Sequence, residues 1–228
     1  ASLFLTAMDE QKLAEVAAEL IPISPLVSTY AADLGDEEQL RQMFAAAVNW
    51  APDLDVVVNN AGIYIGKPVE QYTRDDFDRM MRINVYAVFA LMQLSVKHMR
   101  HLGRGKIVNI SSTAGKWESP NQSLYNTSKH AVVGMAKCIA LETAAQGINV
   151  NSICPGMVDT DMFKEFETHA QSAGLTLAEF KDVVVARIPQ GKFLEPMDVA
   201  RVAVFLASSE SDGMTGQTVT ISGGMRMG

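Results

Sequence analysis

The chain has 228 residues, of which 48% are hydrophobic and 20% charged, with a formal net charge of −7 at pH 7. This composition is typical of a soluble globular protein with one large core. The acidic balance, without a long run of one sign, argues against nucleic acid as a partner. We expect no membrane span and no signal segment, and therefore a cytoplasmic location.

The cysteines and histidines predict neither a disulfide nor a metal site. Cys138 and Cys154 lie in apolar runs, so we expect two buried thiols in a reducing compartment. The four histidines show no ligand spacing with carboxylates or cysteines.

Short apolar runs alternate with longer amphipathic segments along the chain. Strands are predicted at residues 1–7, 26–32, 55–58, 106–110, 148–153 and 218–221. Helical segments are predicted at residues 9–20, 36–50, 74–101, 123–145, 159–186 and 196–207. This alternation predicts one α/β domain over residues 1–228, a doubly wound parallel sheet with helices on both faces.

In such a sheet, ligands bind beyond the carboxyl ends of the strands. Unusual residues follow three of the predicted strands, at residues 59–62, 111–112 and 155–160. Gly62 allows a close approach of the backbone to a ligand, and the amides of residues 59 and 60 can hold neighbouring loops. Taken singly, each segment also fits an ordinary turn.

A tyrosine and a lysine stand four residues apart, at Tyr125 and Lys129. On a helix they share one face, so the ammonium can lie near the phenol. At 4 Å and an effective dielectric of 20, such a pair is worth roughly 4 kcal/mol, enough to move a pKa of about 10 toward neutrality. By itself, the spacing also fits an exposed surface pair.

Taken together, these segments resemble the short-chain dehydrogenase/reductase family over essentially the whole chain. The matching residues are Asn59, Asn60, Ala61, Gly62, Asn84, Ser112, Tyr125, Lys129, Pro155, Gly156 and Thr160. The resemblance is closest to reductases of 3-oxoacyl thioesters and to dehydrogenases of cyclic or sugar-like secondary alcohols. It implies a Rossmann-type, NAD(P)-dependent oxidoreductase that interconverts a secondary alcohol and a ketone, assembled as a homotetramer.

The resemblance also implies catalytic roles. Tyr125 is expected as general acid/base, and Ser112 is expected to hold the substrate oxygen. Lys129 is expected to bind the nicotinamide ribose and to lower the pKa of the tyrosine, and Asn84 to complete a water-linked proton relay. These roles suit a reaction that builds negative charge on oxygen. Asn84 fits a buried structural hydrogen bond equally well.

Cofactor contacts are implied at the ends of several strands. The expected residues are Asp33 and Leu34 at the adenine; Asn60, Ala61 and Gly62 at the ribose and phosphates; and Val158 and Thr160, after Pro155 and Gly156, at the nicotinamide amide. Asp33 is alternatively a helix-entry residue.

The choice between NAD and NADP depends on the end of the first predicted strand. Ala7 leaves room for a phosphate, and Met8 offers it no charge. Asp9 either turns toward a ribose or, as we expect, caps the following helix. These residues slightly favour NADP.

The start of the chain departs most from the family pattern. The Gly-rich strand-turn-helix that holds a pyrophosphate has no counterpart in the sequence, and Ala1 aligns with the start of the family's second strand. Because the missing strand is central to the sheet, we expect two inner strand edges without a partner and about 30 further residues in the natural protein.

For the substrate, the expected contacts are Ser112, Trp117, Gln122, Met157, Met162 and Phe163. Residues 157–195 are rich in Met and Phe and predict either an apolar lid or ordinary helix packing. The basic cluster of residues 100, 101 and 104 fits a solvated helix end, or a contact to a phosphopantetheine carrier.

Two other functions are compatible with the resemblance. A catalytically silent protein would bind a dinucleotide or a protein partner, although the complete set of catalytic residues argues against it. An extended nucleotide-sugar epimerase would need a longer C-terminal substrate domain.

Overall fold

Strands and helices alternate in the computed structural model, which describes residues 1–24 and 26–227. The strands are β1 (Leu3–Ala7), β2 (Val27–Ala31), β3 (Val56–Asn59), β4 (Gly105–Ile110), β5 (Ile148–Pro155) and β6 (Thr218–Ile221). The α-helices are α1 (Glu10–Leu20), α2 (Glu37–Trp50), α3 (Arg74–Met81), α4 (Ala87–Leu102), α5 (Ser123–Thr143), α6 (Glu167–Ser172), α7 (Leu177–Val185) and α8 (Pro196–Ala207). The predicted parallel α/β fold is confirmed. Pro25 and Gly228, which the predicted domain includes, lie outside the described residues.

All strand pairs in the described residues are parallel, and they form two sheets. One sheet pairs β1 with β2, and the other has the order β3-β4-β5-β6. The predicted unpaired strand edges are thus found at β1 and β3, within residues 1–24 and 26–227. Helix α4 connects the two parts, because it packs on β3 and β4 and its residues join the cluster around Phe4 and Tyr30.

The larger sheet is covered on both faces, because successive strand residues point to opposite sides. On β4, Ile107 packs with residues of α4 and α5, whereas Val108 packs with Leu206 of α8. The predicted three-layer arrangement follows, and it leaves the carboxyl ends of the strands accessible between the helices.

The predicted helix over residues 74–101 is interrupted. A π-helical turn, Arg82–Tyr86, separates α3 from α4. Thr73 caps α3 as predicted, because its side chain accepts a hydrogen bond from the backbone N–H of Asp76. π-Turns inside helices are frequent at functional sites, and this one contains Asn84.

The predicted helical segment 159–186 consists of three short pieces. A 3₁₀ helix, Asp161–Phe166, leads into α6, and α7 follows after a turn. Gly174 in that turn has a φ of +69°, a backbone conformation that suits glycine and ends α6. Thr176 then caps α7 with a capping box to Glu179.

The cysteine prediction is half wrong. Cys154 is buried in β5, but Cys138 is exposed, because its apolar run lies on an amphipathic helix with one outward face. Residues 1–24 and 26–227 contain no cluster of metal-ligating side chains. In the same residues, no helix has the length and apolar character needed to cross a membrane.

Candidate active site

The N-terminal half of α5 places its polar residues beneath the carboxyl ends of the strands. Tyr125, Ser128 and Lys129 are all buried, with only 8% of Tyr125 and 7% of Lys129 exposed. This burial excludes an exposed surface pair. A buried lysine and a buried phenol need specific partners, so the contacts around them define the site.

Asn84 ties the loop after β3 to α5. Its side-chain oxygen accepts a hydrogen bond of 2.8 Å from the backbone N–H of Ile63, and its side-chain amide donates to the Ile63 carbonyl oxygen at 2.9 Å. The same amide donates to the Ser128 hydroxyl at 3.2 Å, and that hydroxyl donates to the Tyr125 carbonyl oxygen at 2.7 Å. The buried structural hydrogen bond considered for Asn84 is therefore present.

Tyr125 has its hydroxyl next to Ser112. Burial raises the pKa of Tyr125 to about 12, and the hydrogen bond with the Ser112 side chain opposes this shift. The net shift is upward because burial dominates it, and the expected lowering of this pKa stays a prediction for Lys129. Its Nζ lies 5.6 Å from the ring centroid of Tyr125 and donates to the Ile110 carbonyl oxygen at 3.2 Å.

Burial destabilises the charged form of Lys129. Burial lowers its pKa to about 8, because a charged ammonium loses its hydration in the interior. The lysine also shares a small space with Gly62. A Cβ added to Gly62 would lie 3.3 Å from Oδ1 of Asn84 and 3.5 Å from Nζ of Lys129.

Several residues expected at the dinucleotide are accessible at the ends of strands, as such a ligand requires. Asn60 and Ala61 are exposed beyond the end of β3, and Gly62 has no side chain to obstruct a close approach. Thr160 lines an open cavity of about 390 Å³ with Asp159 and Asp161 among its neighbours. Polar groups and free space therefore meet at the carboxyl edge of the sheet.

Other expected cofactor residues have structural contacts. Gly156 packs so closely on Ser222 that an added Cβ would lie 3.0 Å from its Cα. Val158 pairs with Leu194 in an isolated parallel bridge. Pro155 is buried as the last residue of β5.

The end of β2 is arranged as a tight turn before α2. The side chain of Asp33 accepts a hydrogen bond of 2.8 Å from the N–H of Gly35, and Leu34 packs against the neighbouring core cluster. Asp36, not Asp33, caps α2. Asp33 is exposed, so it remains accessible beside the turn.

The expected substrate residues separate into three groups. Trp117 and Gln122 are half-buried near the start of α5, and Gln122 hydrogen-bonds the Tyr64 hydroxyl. Met157 and Phe163 belong to one hydrophobic cluster in residues 157–195. Met162 is 38% exposed, which places it on the outer surface of that segment.

Tyr64 and His169 are two site residues that the sequence analysis missed. The Tyr64 ring meets that of Tyr125 edge-on, with the centroids 4.8 Å apart, and its hydroxyl shares a hydrogen bond of 3.3 Å with Nε2 of His169. Burial lowers the pKa of His169, and the Pro120 carbonyl opposes this. The available signal was a tyrosine two residues after the 59–62 loop.

The site consists of a parallel sheet, the loops at its strand ends and a buried tyrosine, and this combination defines a Rossmann-type α/β oxidoreductase. Comparisons with known proteins identify the family. A family model described as enoyl-(acyl carrier protein) reductase matches residues 1–226. The 3-oxoacyl-[acyl-carrier-protein] reductase FabG of Thermotoga maritima is 35% identical over 199 residues, which cover 87% of this chain and 77% of that protein.

Solved structures agree with the sequence comparison. A crystal structure of an actinorhodin polyketide ketoreductase with NADPH matches with a TM-score of 0.93 at 30% identity. The match covers 97% of this chain and 86% of the ketoreductase chain. An NAD⁺-bound xylitol dehydrogenase has a TM-score of 0.92 at 27% identity, covering 98% and 88%.

The chain belongs to the short-chain dehydrogenase/reductase family. It is an NAD(P)-dependent oxidoreductase that interconverts a secondary alcohol and a ketone.

Proposed function

We propose that this enzyme reduces a ketone with Tyr125 as the proton donor and Ser112 as the hydrogen-bond donor to the substrate oxygen. The supporting observation is the contact between the Ser112 and Tyr125 hydroxyls in a buried site. A phenol whose pKa is raised to about 12 is protonated at neutral pH, which is the form that a carbonyl reduction requires.

When bound, the nicotinamide supplies the hydride for reduction and accepts it for oxidation. Tyr125 transfers its proton to the substrate oxygen as that oxygen gains negative charge, and Ser112 stabilises the same charge. We assign Lys129 to the nicotinamide ribose and Asn84 to the relay that returns a proton to Tyr125. The shared space at Gly62 supports this grouping, because it brings Asn84 and Lys129 together.

The proposed chemistry is tested by a panel of 3-oxoacyl thioesters and cyclic or sugar-like ketones with the full-length protein. Tyr125→Phe removes the proton donor but keeps the ring, and we expect its kcat to fall about 10²- to 10⁴-fold. Tyr30→Phe, at a half-buried ring on β2, is the matched control and should retain the wild-type rate. Equal rates for wild-type protein and Tyr125→Phe would instead indicate a catalytically silent binding protein.

For the cofactor, we propose NADP over NAD. Asp9 accepts a hydrogen bond from the backbone N–H of Lys12 and caps α1, so its carboxylate is engaged away from a ribose. Lys12 lies on the first turn of α1. The pKa of Asp161 is lowered mainly by its hydrogen bond with Lys164 and to a smaller extent by the charge of Lys12. A cation at this position suits the 2′-phosphate.

Kinetics with NADPH and NADH in parallel test the cofactor proposal. We expect a higher kcat/KM with NADPH, and Lys12→Ala should reduce that preference about tenfold by removing one phosphate contact. The exposed Gln11→Ala variant, at the adjacent position, is the control. A wild-type preference for NADH would contradict the proposal.

We also propose that residues 1–228 form one domain with residues 157–195 as a lid. The packing of α4 on both parts of the sheet supports the single domain. The lid is supported by hydrogen bonds that join the two ends of the segment. The N–H of Asp159 donates to the carbonyl oxygen of Leu194, and the N–H of Leu194 donates to the carbonyl oxygen of Met157.

A homotetramer is our proposal for the assembly. Exposed apolar side chains on the described helices support it: Phe77, Phe89, Leu141, Met197, Val204 and Phe205. Light scattering of the full-length protein tests the stoichiometry, and Phe89→Glu should lower the mass observed if α4 lies in the interface. The cytoplasmic location stays a prediction.

A further inference from the structure

Tyr64 connects the proposed proton donor to the proposed lid. It is 5% exposed and follows the loop after β3. One side of its ring receives Tyr125 at 4.8 Å with an interplanar angle of 69°, and the ring stacks on Phe166 at 4.5 Å and 10°. The same side chain therefore contacts both the catalytic site and residues 157–195.

The hydroxyl of Tyr64 makes a second connection to the lid. It shares a hydrogen bond of 3.3 Å with Nε2 of His169, which lies on α6. The two rings also approach each other, with centroids 6.1 Å apart. Because α6 is a short helix of six residues with Phe166 as its N-cap, a stacked ring at the cap and a hydrogen bond to the third residue fix much of its position.

Gly66 provides the space for this pair. A Cβ at residue 66 would lie 2.5 Å from both Cε1 of His169 and the Tyr64 hydroxyl oxygen. Real Cβ atoms do not approach other atoms so closely, so the absence of a side chain permits the contact. The loop, the tyrosine and α6 are thus built to fit one another.

We propose that Tyr64 is a positioning residue with two separable parts. Its ring holds the ring of Tyr125 so that the hydroxyl faces Ser112, and its hydroxyl docks the lid through His169. This inference rests on the proposed function of Tyr125. The ring contact acts on the chemical step, whereas the docked lid acts on the retention of substrate.

Three variants separate the two parts. Tyr64→Leu removes the ring, and we expect kcat to fall at least about tenfold because the proton donor loses its lateral support. Tyr64→Phe keeps the ring, so kcat should stay within about twofold while KM for the ketone rises about three- to tenfold. His169→Leu should raise KM by a similar factor.

A double-mutant cycle tests the hydrogen bond itself. If Tyr64 and His169 act together, KM in the Tyr64→Phe/His169→Leu variant should rise by less than the product of the two single rises, because both single variants lose the same hydrogen bond. Independent, multiplying effects on KM would overturn the docking role. A wild-type kcat for Tyr64→Leu would overturn the positioning role. Tyr30→Phe, which removes a hydroxyl on β2 in a different hydrophobic cluster from Tyr64 and Tyr125, is the control and should leave both parameters unchanged.

Hydrogen exchange gives a readout that does not depend on turnover. Backbone amides of residues 161–172 should exchange faster in Tyr64→Phe and His169→Leu than in the wild-type protein, while those of β4 and β5 stay protected. If the substrate panel gave no turnover, the proposed function would fail, and the exchange comparison would still decide the docking. Unchanged exchange in residues 161–172 would overturn it.

Discussion

The side-chain oxygen of Asn84 lies 2.8 Å from the backbone nitrogen of Ile63, and its amide lies 2.9 Å from the carbonyl oxygen of the same residue. One buried side chain thus satisfies both backbone polar groups of a residue in another element. Since Asn84 sits in the π-helical turn Arg82–Tyr86, the turn presents the amide to the loop after β3. A side chain from the helix layer therefore holds the loop after β3, which contains Gly62, in place.

Asn84→Ala should destabilise the protein and slow catalysis together. The substitution leaves the N–H and the carbonyl oxygen of Ile63 without this partner, and each unsatisfied buried group costs about 1 to 3 kcal/mol. We expect the free energy of unfolding, measured with denaturant, to fall by about 2 to 4 kcal/mol. Gln93→Ala, at an exposed amide on α4, should change it by less than about 0.5 kcal/mol. Equal effects of the two variants would contradict the role of Asn84 in holding the loop.

The sequence predicted the elements well because their signals are local. Apolar runs and caps such as Asp9 and Thr73 were sufficient, and both side chains accept the predicted hydrogen bonds. The π-helical turn was missed, and its residue Asn84 makes a tertiary contact with Ile63. Helical periodicity carries no information about that contact.

The predictions for the active site also succeeded where the signal is local and failed where it depends on the whole fold. The positions of Tyr125, Ser112 and Lys129 follow from motif spacing, and the structure places them together. The sign of the pKa shift of Tyr125 does not follow, because burial raises it and burial depends on the whole fold. Tyr64 and His169, which are 105 residues apart, meet only through the folded chain.

The two cysteines should differ in reactivity toward a thiol reagent. Cys138 is exposed on α5, whereas Cys154 is buried in β5 and burial raises the pKa of its thiol. We expect one thiol per native chain to react within minutes, and the second only after unfolding. Cys138→Ser should abolish the fast phase, and Cys154→Ser should leave it intact. A fast phase that survives Cys138→Ser would contradict the assigned exposures.

The pKa of Lys129 should make stability depend on pH in a specific window. Its pKa is about 8 in the folded protein and 10.5 in its ordinary state, so between these values the unfolded chain binds a proton that the folded chain does not. The free energy of unfolding therefore rises with pH in this window through Lys129, by about 1.4 kcal/mol per pH unit at most. Below pH 8 both states are protonated, and the contribution no longer changes.

Lys129→Met removes this titration while keeping an unbranched side chain of similar length. We expect the stability of the wild-type protein, measured with denaturant, to rise relative to that of the variant by about 1 to 2 kcal/mol between pH 8 and pH 9.5. The raised pKa of Tyr125 makes stability fall above the ordinary tyrosine value of 10.0 in both proteins alike, so it does not enter this difference. Lys137→Met, at an exposed lysine on the same helix, should parallel the wild-type curve. A constant difference between wild-type protein and Lys129→Met across pH 8 to 9.5 would show that burial does not depress the pKa of Lys129.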